Sequence, residues 1–156
     1  SQGRIDEAIG HYREAIRIDP NDAAAHFTLA GALAIQGAPG KALAQLAEAL
    51  RLKPDWPTAL NLTAWILATP PDAAIRNGPA AIEHAKRALR LNNRDLSVLD
   101  TLAAAYAEVG DFDQATTTAR RALELAIASA DVMVEPIRHR LALYERKKPY
   151  RENATR

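Results

Sequence analysis

The sequence predicts an all-α protein built of repeated helical hairpins, and three observations carry this prediction. The chain of 156 residues holds 34 alanines but only 8 aromatic residues (2 Trp, 4 Tyr and 2 Phe). Alanine favours helices, whereas strands are rich in β-branched and aromatic side chains. Apolar residues recur at intervals of three and four, the period of a helix. The same residue types also return about every 34 positions, which is typical of a solenoid.

The repeat is visible in two registers. Four residues of the first segment recur 34 positions later: Gly3, Ala8, Ala15 and Pro20 become Gly37, Ala42, Ala49 and Pro54. The alanine pair returns after 39 residues as Ala81 and Ala88, and after 34 more as Ala115 and Ala122. The middle unit therefore has five extra residues, which predicts an insertion at about residues 70–79. Small side chains at these positions indicate that two helices cross closely there, since overpacking such a contact costs about 1 to 3 kcal/mol.

Helix ends are marked by residues with known capping roles. Gly110 follows an apolar stripe and suits a left-handed C-cap, because glycine has no Cβ. Asp111 then begins the next helix, with Gln114 three residues later. Near the end of the chain, Val134, Ile137, Leu141 and Tyr144 form one apolar stripe, which predicts a helix that caps the stack. Pro136 is expected in the first turn of that helix, where proline is tolerated.

These residues and spacings resemble the tetratricopeptide repeat family. The likeness is carried by Ala8, Tyr12, Ala15 and Pro20, by Leu29, Ala30, Leu33, Ala42 and Ala49, and by Leu99, Leu102, Ala103, Tyr106, Ala115 and Ala122. The family implies a right-handed α-solenoid. The expected divisions are the second helix of a truncated repeat at 1–22, repeats at 23–56, 57–95 and 96–128, a capping helix at 129–148 and a basic tail at 149–156. The middle repeat departs most from the family pattern.

A weaker likeness concerns larger proteins. Segments 64–70, 99–108 and 140–145 resemble C-terminal repeat regions of bacterial multi-domain proteins such as membrane glycosyltransferases. This likeness implies an alternative function, a regulatory or substrate-presenting appendage of a larger membrane enzyme. A self-assembly module is a further alternative, because the first helix leaves an apolar flank through which a homodimer could form.

No residue constellation predicts catalysis, a metal or a cofactor. The chain has no cysteine. Its four histidines lie one to a region, and His26 occupies a core position where packing explains it better than metal ligation. Gly37-Ala38-Pro39-Gly40 is expected to be a hairpin turn, since it lacks the lysine and serine that complete a phosphate-binding loop. The sequence therefore predicts a protein that is not an enzyme.

The resemblance implies a concave groove that binds a protein or peptide. The residues expected to line it are Ala24, Phe27, Gly31, Thr58, Asn61, Trp65, Ser97, Asp100, Ala104 and Glu108. Phe27 and Trp65 are candidate anchors, because aromatic side chains contribute strongly at interfaces. Phe27 could instead pack between units, and Trp65 could pack under the insertion. Asp100 and Glu108 are expected to be solvated or to bind a basic ligand. A chaperone-tail ligand is not expected, because only Asn61 resembles the polar set that such sites use.

The charge distribution also restricts the partners. Residues 1–137 hold 13 Lys/Arg and 17 Asp/Glu, a net charge of −4, whereas residues 138–156 hold 7 and 2, a net charge of +5. Nucleic acid is not expected, since phosphate binding needs a continuous cationic stripe. The basic end is expected to be solvated or to contact an acidic lipid, an RNA or an acidic neighbour. No apolar run is long enough to insert into a membrane. Both the cytoplasm and the periplasm fit this composition.

Overall fold

The computed structural model describes residues 2–152, and this part of the chain contains eight α-helices and no strand. Ser1 and residues 153–156, including Arg156 of the predicted basic tail, lie outside the described residues. The helices are α1 (Gln2–Ile18), α2 (Ala23–Ile35), α3 (Pro39–Leu52), α4 (Pro57–Ala68), α5 (Gly78–Leu91), α6 (Leu96–Glu108), α7 (Phe112–Ala128) and α8 (Val134–Glu145). No helix among them is long and apolar enough to cross a membrane.

Each predicted unit is a hairpin of two packed helices. α2 packs on α3, α4 on α5 and α6 on α7, and each hairpin also contacts the next one along the chain. The first helix of the second hairpin, α4, lies alongside the first helix of the third, α6. The recurring alanines lie at these crossings with no exposed surface: Ala42, Ala49, Ala81, Ala88, Ala115 and Ala122. The close helix crossings predicted from the sequence are therefore confirmed.

The helix ends follow the predicted chemistry. Gly37 and Gly110 both have φ of 80°, the left-handed region in which a side chain would be strained. Asp111 caps α7 by accepting a hydrogen bond from the backbone N–H of Gln114 at 3.1 Å. Asp22 and Asp95 cap α2 and α6 in the same way.

The chain between α4 and α5, residues 69–77, is a loop, and it ends two residues earlier than the insertion predicted at about 70–79. Gly78 and Pro79, assigned to it from the sequence, begin α5 instead. Proline is compatible with a first helical turn, because the N–H it lacks would have no partner there. The Asn77 N–H donates to the Leu67 carbonyl at 2.8 Å and ties the loop back to α4.

The capping helix α8 packs against α7 and α6, and its apolar stripe is buried. Ile137 and Tyr144 have no exposed surface, and Leu141 is 8% exposed. Pro136 lies in the first turn, as predicted. After α8 the chain turns through Lys147, whose φ is 54°, and residues 149–152 run back to the end of α4.

Candidate functional site

The concave side of the molecule contains an open cavity of about 380 Å³ between α2, α4, α6 and the start of α8. It brings together six of the ten residues predicted to line the groove: Phe27, Thr58, Asn61, Trp65, Ser97 and Asp100. Leu62, Thr101, Met133 and Arg140 complete its walls, and the sequence analysis did not assign them to the groove. We call this cavity the open part of the groove.

Phe27 forms one aromatic wall of the open part. Its ring lies 4.7 Å from the ring of Trp56, measured between centroids, and Trp56 directly precedes α4. Phe27 therefore packs between two units, one of the two roles considered for it, and also reaches the cavity. Gly31 lies with Phe27 on a second cavity, between α1 and α2, and Ala24 is exposed near the start of α2.

Asn61 supplies a polar group in the middle of the open part. Its Nδ2 donates to Ser97 Oγ at 3.1 Å and links α4 to α6. Its Oδ1 is shielded from water and accepts no hydrogen bond from the described residues. A buried acceptor without a donor costs about 1 to 3 kcal/mol. Asn61 therefore contributes its side chain to the wall of the open part, while the oxygen itself is shielded.

Asp100 is not solvated, which corrects one sequence expectation. It is 2% exposed and forms a two-bonded ion pair with Arg140 of α8, which is 6% exposed. Arg140 Nε donates to Oδ1 at 2.9 Å, and Arg140 Nη2 donates to Oδ2 at 2.5 Å. Burial raises the pKa of Asp100 above its usual range, while the hydrogen bonds and the charge of Arg140 act in the opposite direction.

Glu108 is also paired rather than solvated. Its Oε1 accepts from Arg76 Nε of the insertion at 3.0 Å, and its Oε2 pairs with Arg151 near the end of the described chain. Arg76 Nη1 is held by the carbonyls of Pro70 and Pro71 at 2.9 and 2.7 Å. The insertion therefore borders the groove and positions its acidic end.

Trp65 lines the open part and also packs against α8 and the C-terminal segment. Its ring lies 5.8 Å from that of Tyr150 and 5.4 Å from the guanidinium of Arg140. Its Nε1 donates to Glu152 Oε1 at 2.5 Å. Ala104, also predicted for the groove, is 2% exposed and offers almost no surface. The C-terminal segment thus covers the α6 end of the groove.

Sequence reasoning missed the residues that fill this end. They are Arg76, Arg140, Tyr150 and Arg151. One signal was available, because the cationic end of a chain whose body is acidic has a natural partner within the same chain. The spacing of the repeats alone does not indicate that the C-terminal segment packs on the groove.

The described residues offer no cluster of side chains that could hold a metal ion. No three of their histidine, aspartate and glutamate side chains come together as a metal site. His26 is 6% exposed, with its Nδ1 2.8 Å from Gln45 Oε1 and its Nε2 3.1 Å from the Pro20 carbonyl. These contacts confirm the packing role predicted for His26.

Comparison with known proteins agrees with this architecture. The family model described as tetratricopeptide repeat matches residues 1–66. The crystal structure of MamA protein superposes with a TM-score of 0.70 at 20% identity, covering 93% of this chain and 81% of that one. A second MamA structure gives 0.69 at 18% identity, covering 93% and 89%. TTC0263, a thermophilic TPR protein of Thermus thermophilus, gives 0.70 at 21% identity, covering 92% and 74%.

Curated proteins yield no significant match. At identities near 20%, the structural matches establish the fold. The fold is an α-solenoid of tetratricopeptide repeats, and the resemblance predicted from the sequence is confirmed.

Proposed function

We propose that this chain is a non-catalytic scaffold that binds an extended peptide or protein segment in the open part of its groove. The observation that carries the proposal is the combination in one cavity of aromatic walls from Phe27 and Trp65 with the polar side chains of Thr58, Asn61 and Ser97. Aromatic walls favour apolar side chains, and hydroxyl and amide groups favour the polar backbone of a peptide. An extended peptide supplies backbone N–H and C=O groups along its length, with side chains between them.

Blocking the cavity tests this proposal. Peptides would be selected on the wild-type chain from a random display library, and their dissociation constants measured by fluorescence anisotropy. Thr58 lines the cavity and is exposed, so Thr58→Arg fills it with a long side chain. We expect binding to weaken about tenfold or more, a loss of about 1.4 kcal/mol.

Thr117→Arg is the matched control, because Thr117 is exposed on α7, a helix that does not line the cavity. It should leave the dissociation constants unchanged. Asn61→Ala should weaken binding as well, since it removes a polar side chain that lines the cavity. If the selected peptides bind Thr58→Arg as tightly as wild type, the open part of the groove is not the binding site.

A second candidate function, self-association, is favoured by another observation. α1 and α2 form an apolar cavity of about 500 Å³, lined by Ile5, Ala8, Tyr12 and Gly31 among others. Ile35, at its edge, is 65% exposed. We propose that a second copy of the chain covers this surface.

Light scattering over a range of protein concentrations tests for the dimer. Wild type should rise above the monomer mass as the concentration increases, and Ile35→Glu should remain monomeric. Ile127→Glu is the matched control, because Ile127 is 55% exposed on α7, away from the cavity. A wild-type chain that stays monomeric at every concentration would rule out this candidate.

A further inference from the structure

The C-terminal segment Pro149–Glu152 packs on the groove face of α4 and α6. It has no helical structure, and it follows the reversal of direction at Lys147. The segment crosses the end of α4, where the last carbonyls of a helix have no partner within the helix. The Glu152 N–H donates to one of these, the Thr69 carbonyl, at 2.9 Å. This contact recognises backbone and depends on no particular side chain.

Three consecutive side chains of the segment then contact Trp65, Arg140 and Glu108. The Tyr150 ring packs at 5.8 Å on Trp65 and lies 5.3 Å from the guanidinium of Arg140. Arg151 pairs with Glu108. Glu152 accepts the Trp65 Nε1–H at 2.5 Å. An aromatic, a basic and an acidic side chain are therefore each matched to a complementary group.

We call Trp65, the Thr69 carbonyl, Glu108 and Arg140 the cradle. Three of its members are fixed independently of the segment. Asp100 holds Arg140, Arg76 holds Glu108, and the Thr69 carbonyl belongs to the end of α4. The side chains of the segment itself are more exposed: Tyr150 and Arg151 are half-buried and Glu152 is exposed. The cradle is thus held in place by other parts of the protein, and the segment lies on its surface, as a ligand lies on a binding site.

We infer that Pro149–Glu152 is an internal ligand of the groove, and that the cradle binds an extended partner segment with the order aromatic, basic, acidic when the internal ligand leaves. This inference rests on the proposed function, because it names the partner chemistry for the α6 end of the same groove. Charge complementarity supports it, since Arg76 pairs with Glu108 Oε1 and Arg151 of the segment pairs with the other oxygen, Oε2.

Tethering makes the internal ligand a competitor of the partner. A short tether gives an effective concentration on the order of millimolar, so a partner binds only to the fraction of molecules whose cradle is free. The segment therefore sets a threshold for capture of a partner. Weakening its contacts should raise the affinity for a peptide added in solution.

The experiment measures binding of a labelled peptide with the sequence of residues 148–152, Lys-Pro-Tyr-Arg-Glu, to the whole chain by fluorescence anisotropy. In Tyr150→Ala/Arg151→Ala the internal ligand is released, and we expect this chain to bind the peptide about tenfold or more tightly than wild type does. Arg151→Glu alone, which places like charge beside Glu108, should act in the same direction. Lys147→Ala/Lys148→Ala is the matched control and should bind like wild type.

A peptide in which Tyr and Arg are replaced by Ala should bind none of the chains. We call Tyr150→Ala/Arg151→Ala and Arg151→Glu the released chains. Adding Glu108→Gln to Tyr150→Ala/Arg151→Ala should reverse most of the gain in peptide affinity. Circular dichroism verifies that each variant is folded. Equal affinity of wild type and both released chains for the native peptide would overturn the inference.

The outcomes separate this inference from the proposed function. Library peptides blocked by Thr58→Arg, with no gain for the released chains, would refute the internal ligand and leave the scaffold proposal standing. Tighter binding by the released chains, with no library peptide sensitive to Thr58→Arg, would support the cradle and refute binding in the open part.

Discussion

At the α2 end of the concave groove, Phe27, Thr58 and Asn61 face an open cavity of about 380 Å³. At the α6 end, the ring of Trp65 and the carboxylate of Glu108 are covered by Tyr150 and Arg151 of the C-terminal segment. Both ends are built from the first helices of successive repeats. The comparison shows that equivalent repeat positions have different accessibility, because the chain beyond the last repeat packs on only one of the two ends.

The two ends also differ in how their polar groups are stabilised. Asp100 and Glu108 at the covered end are held by arginines from α8, the insertion and the C-terminal segment. Asn61 at the open end has a free acceptor. Contacts that stabilise the covered end should therefore matter for folding, whereas residues of the open end should matter for binding.

The largest expected effect comes from breaking the buried ion pair. Arg140→Ala leaves the Asp100 carboxylate buried without its partner, and such losses cost about 3 to 5 kcal/mol. Urea denaturation followed by circular dichroism measures the change. The control is Arg138→Ala on the same helix, whose pair with Glu135 at 2.6 Å is exposed. It should cost no more than about 1 kcal/mol.

Replacing both partners sharpens this test. Asp100→Leu/Arg140→Met should recover most of the stability lost in Arg140→Ala, since an apolar pair avoids the desolvation of two charges. A stability loss below about 1 kcal/mol for Arg140→Ala would show that the covered end does not depend on this ion pair for its folding.

The second effect concerns the insertion that supports Glu108. Gly78 begins α5 beside the end of α6, and a Cβ there would lie 2.5 Å from Val109 Cγ1. Gly78→Ala should therefore destabilise the fold by about 1 to 3 kcal/mol. Gly10→Ala is the opposite case, because nothing lies within 4 Å of its added Cβ. It should stabilise α1 by about 0.5 to 1 kcal/mol. Thermal or urea unfolding measures both changes. If both variants gain stability, or both lose it, the crowding at Gly78 does not set the stability of this region.

The third prediction is a gain in stability from a substitution in the buried part of α8. Tyr144 is fully buried beneath the covered end, and its hydroxyl has no hydrogen-bond partner among residues 2–152. Burial raises the pKa of Tyr144, and nearby Asp100 raises it further, so the phenol stays neutral. Tyr144→Phe removes the unsatisfied hydroxyl and should stabilise the protein by about 1 kcal/mol. A clear loss of stability would indicate that this hydroxyl has a partner that the covered end requires.

The smallest expected effect lies at the open end. Thr58→Arg changes an exposed side chain and should alter the free energy of unfolding by no more than about 0.5 kcal/mol. The same denaturation measurement applies. A loss comparable to that of Arg140→Ala would mean that the open end is as structural as the covered end, and the contrast between them would fail.

Much of the fold followed from local signals. The alanine spacing located all three hairpins, and Gly110, Asp111 and Pro136 have the roles assigned to them. These positions are readable because each depends on neighbours within one or two turns of helix. The insertion was located by counting, although its last two residues belong to α5.

The candidate site was only partly readable. Six predicted residues meet in one cavity, since the repeat places them at equivalent positions. The pairing of Asp100 with Arg140 joins residues 40 positions apart, and Trp65 with Glu152 joins residues 87 apart. No periodic pattern encodes such contacts, so both acids were expected to be solvated or to meet a basic ligand.

The sequence by itself determined the hairpins, because helix period, caps and small residues at crossings are local properties that each repeat restates. Only the tertiary structure decided which part of the groove is open. That outcome depends on where α8 and the segment after it pack, and on which buried charges find partners there. Desolvation makes those pairings strongly selective, yet the energy that selects them exists only once distant parts of the chain have come together.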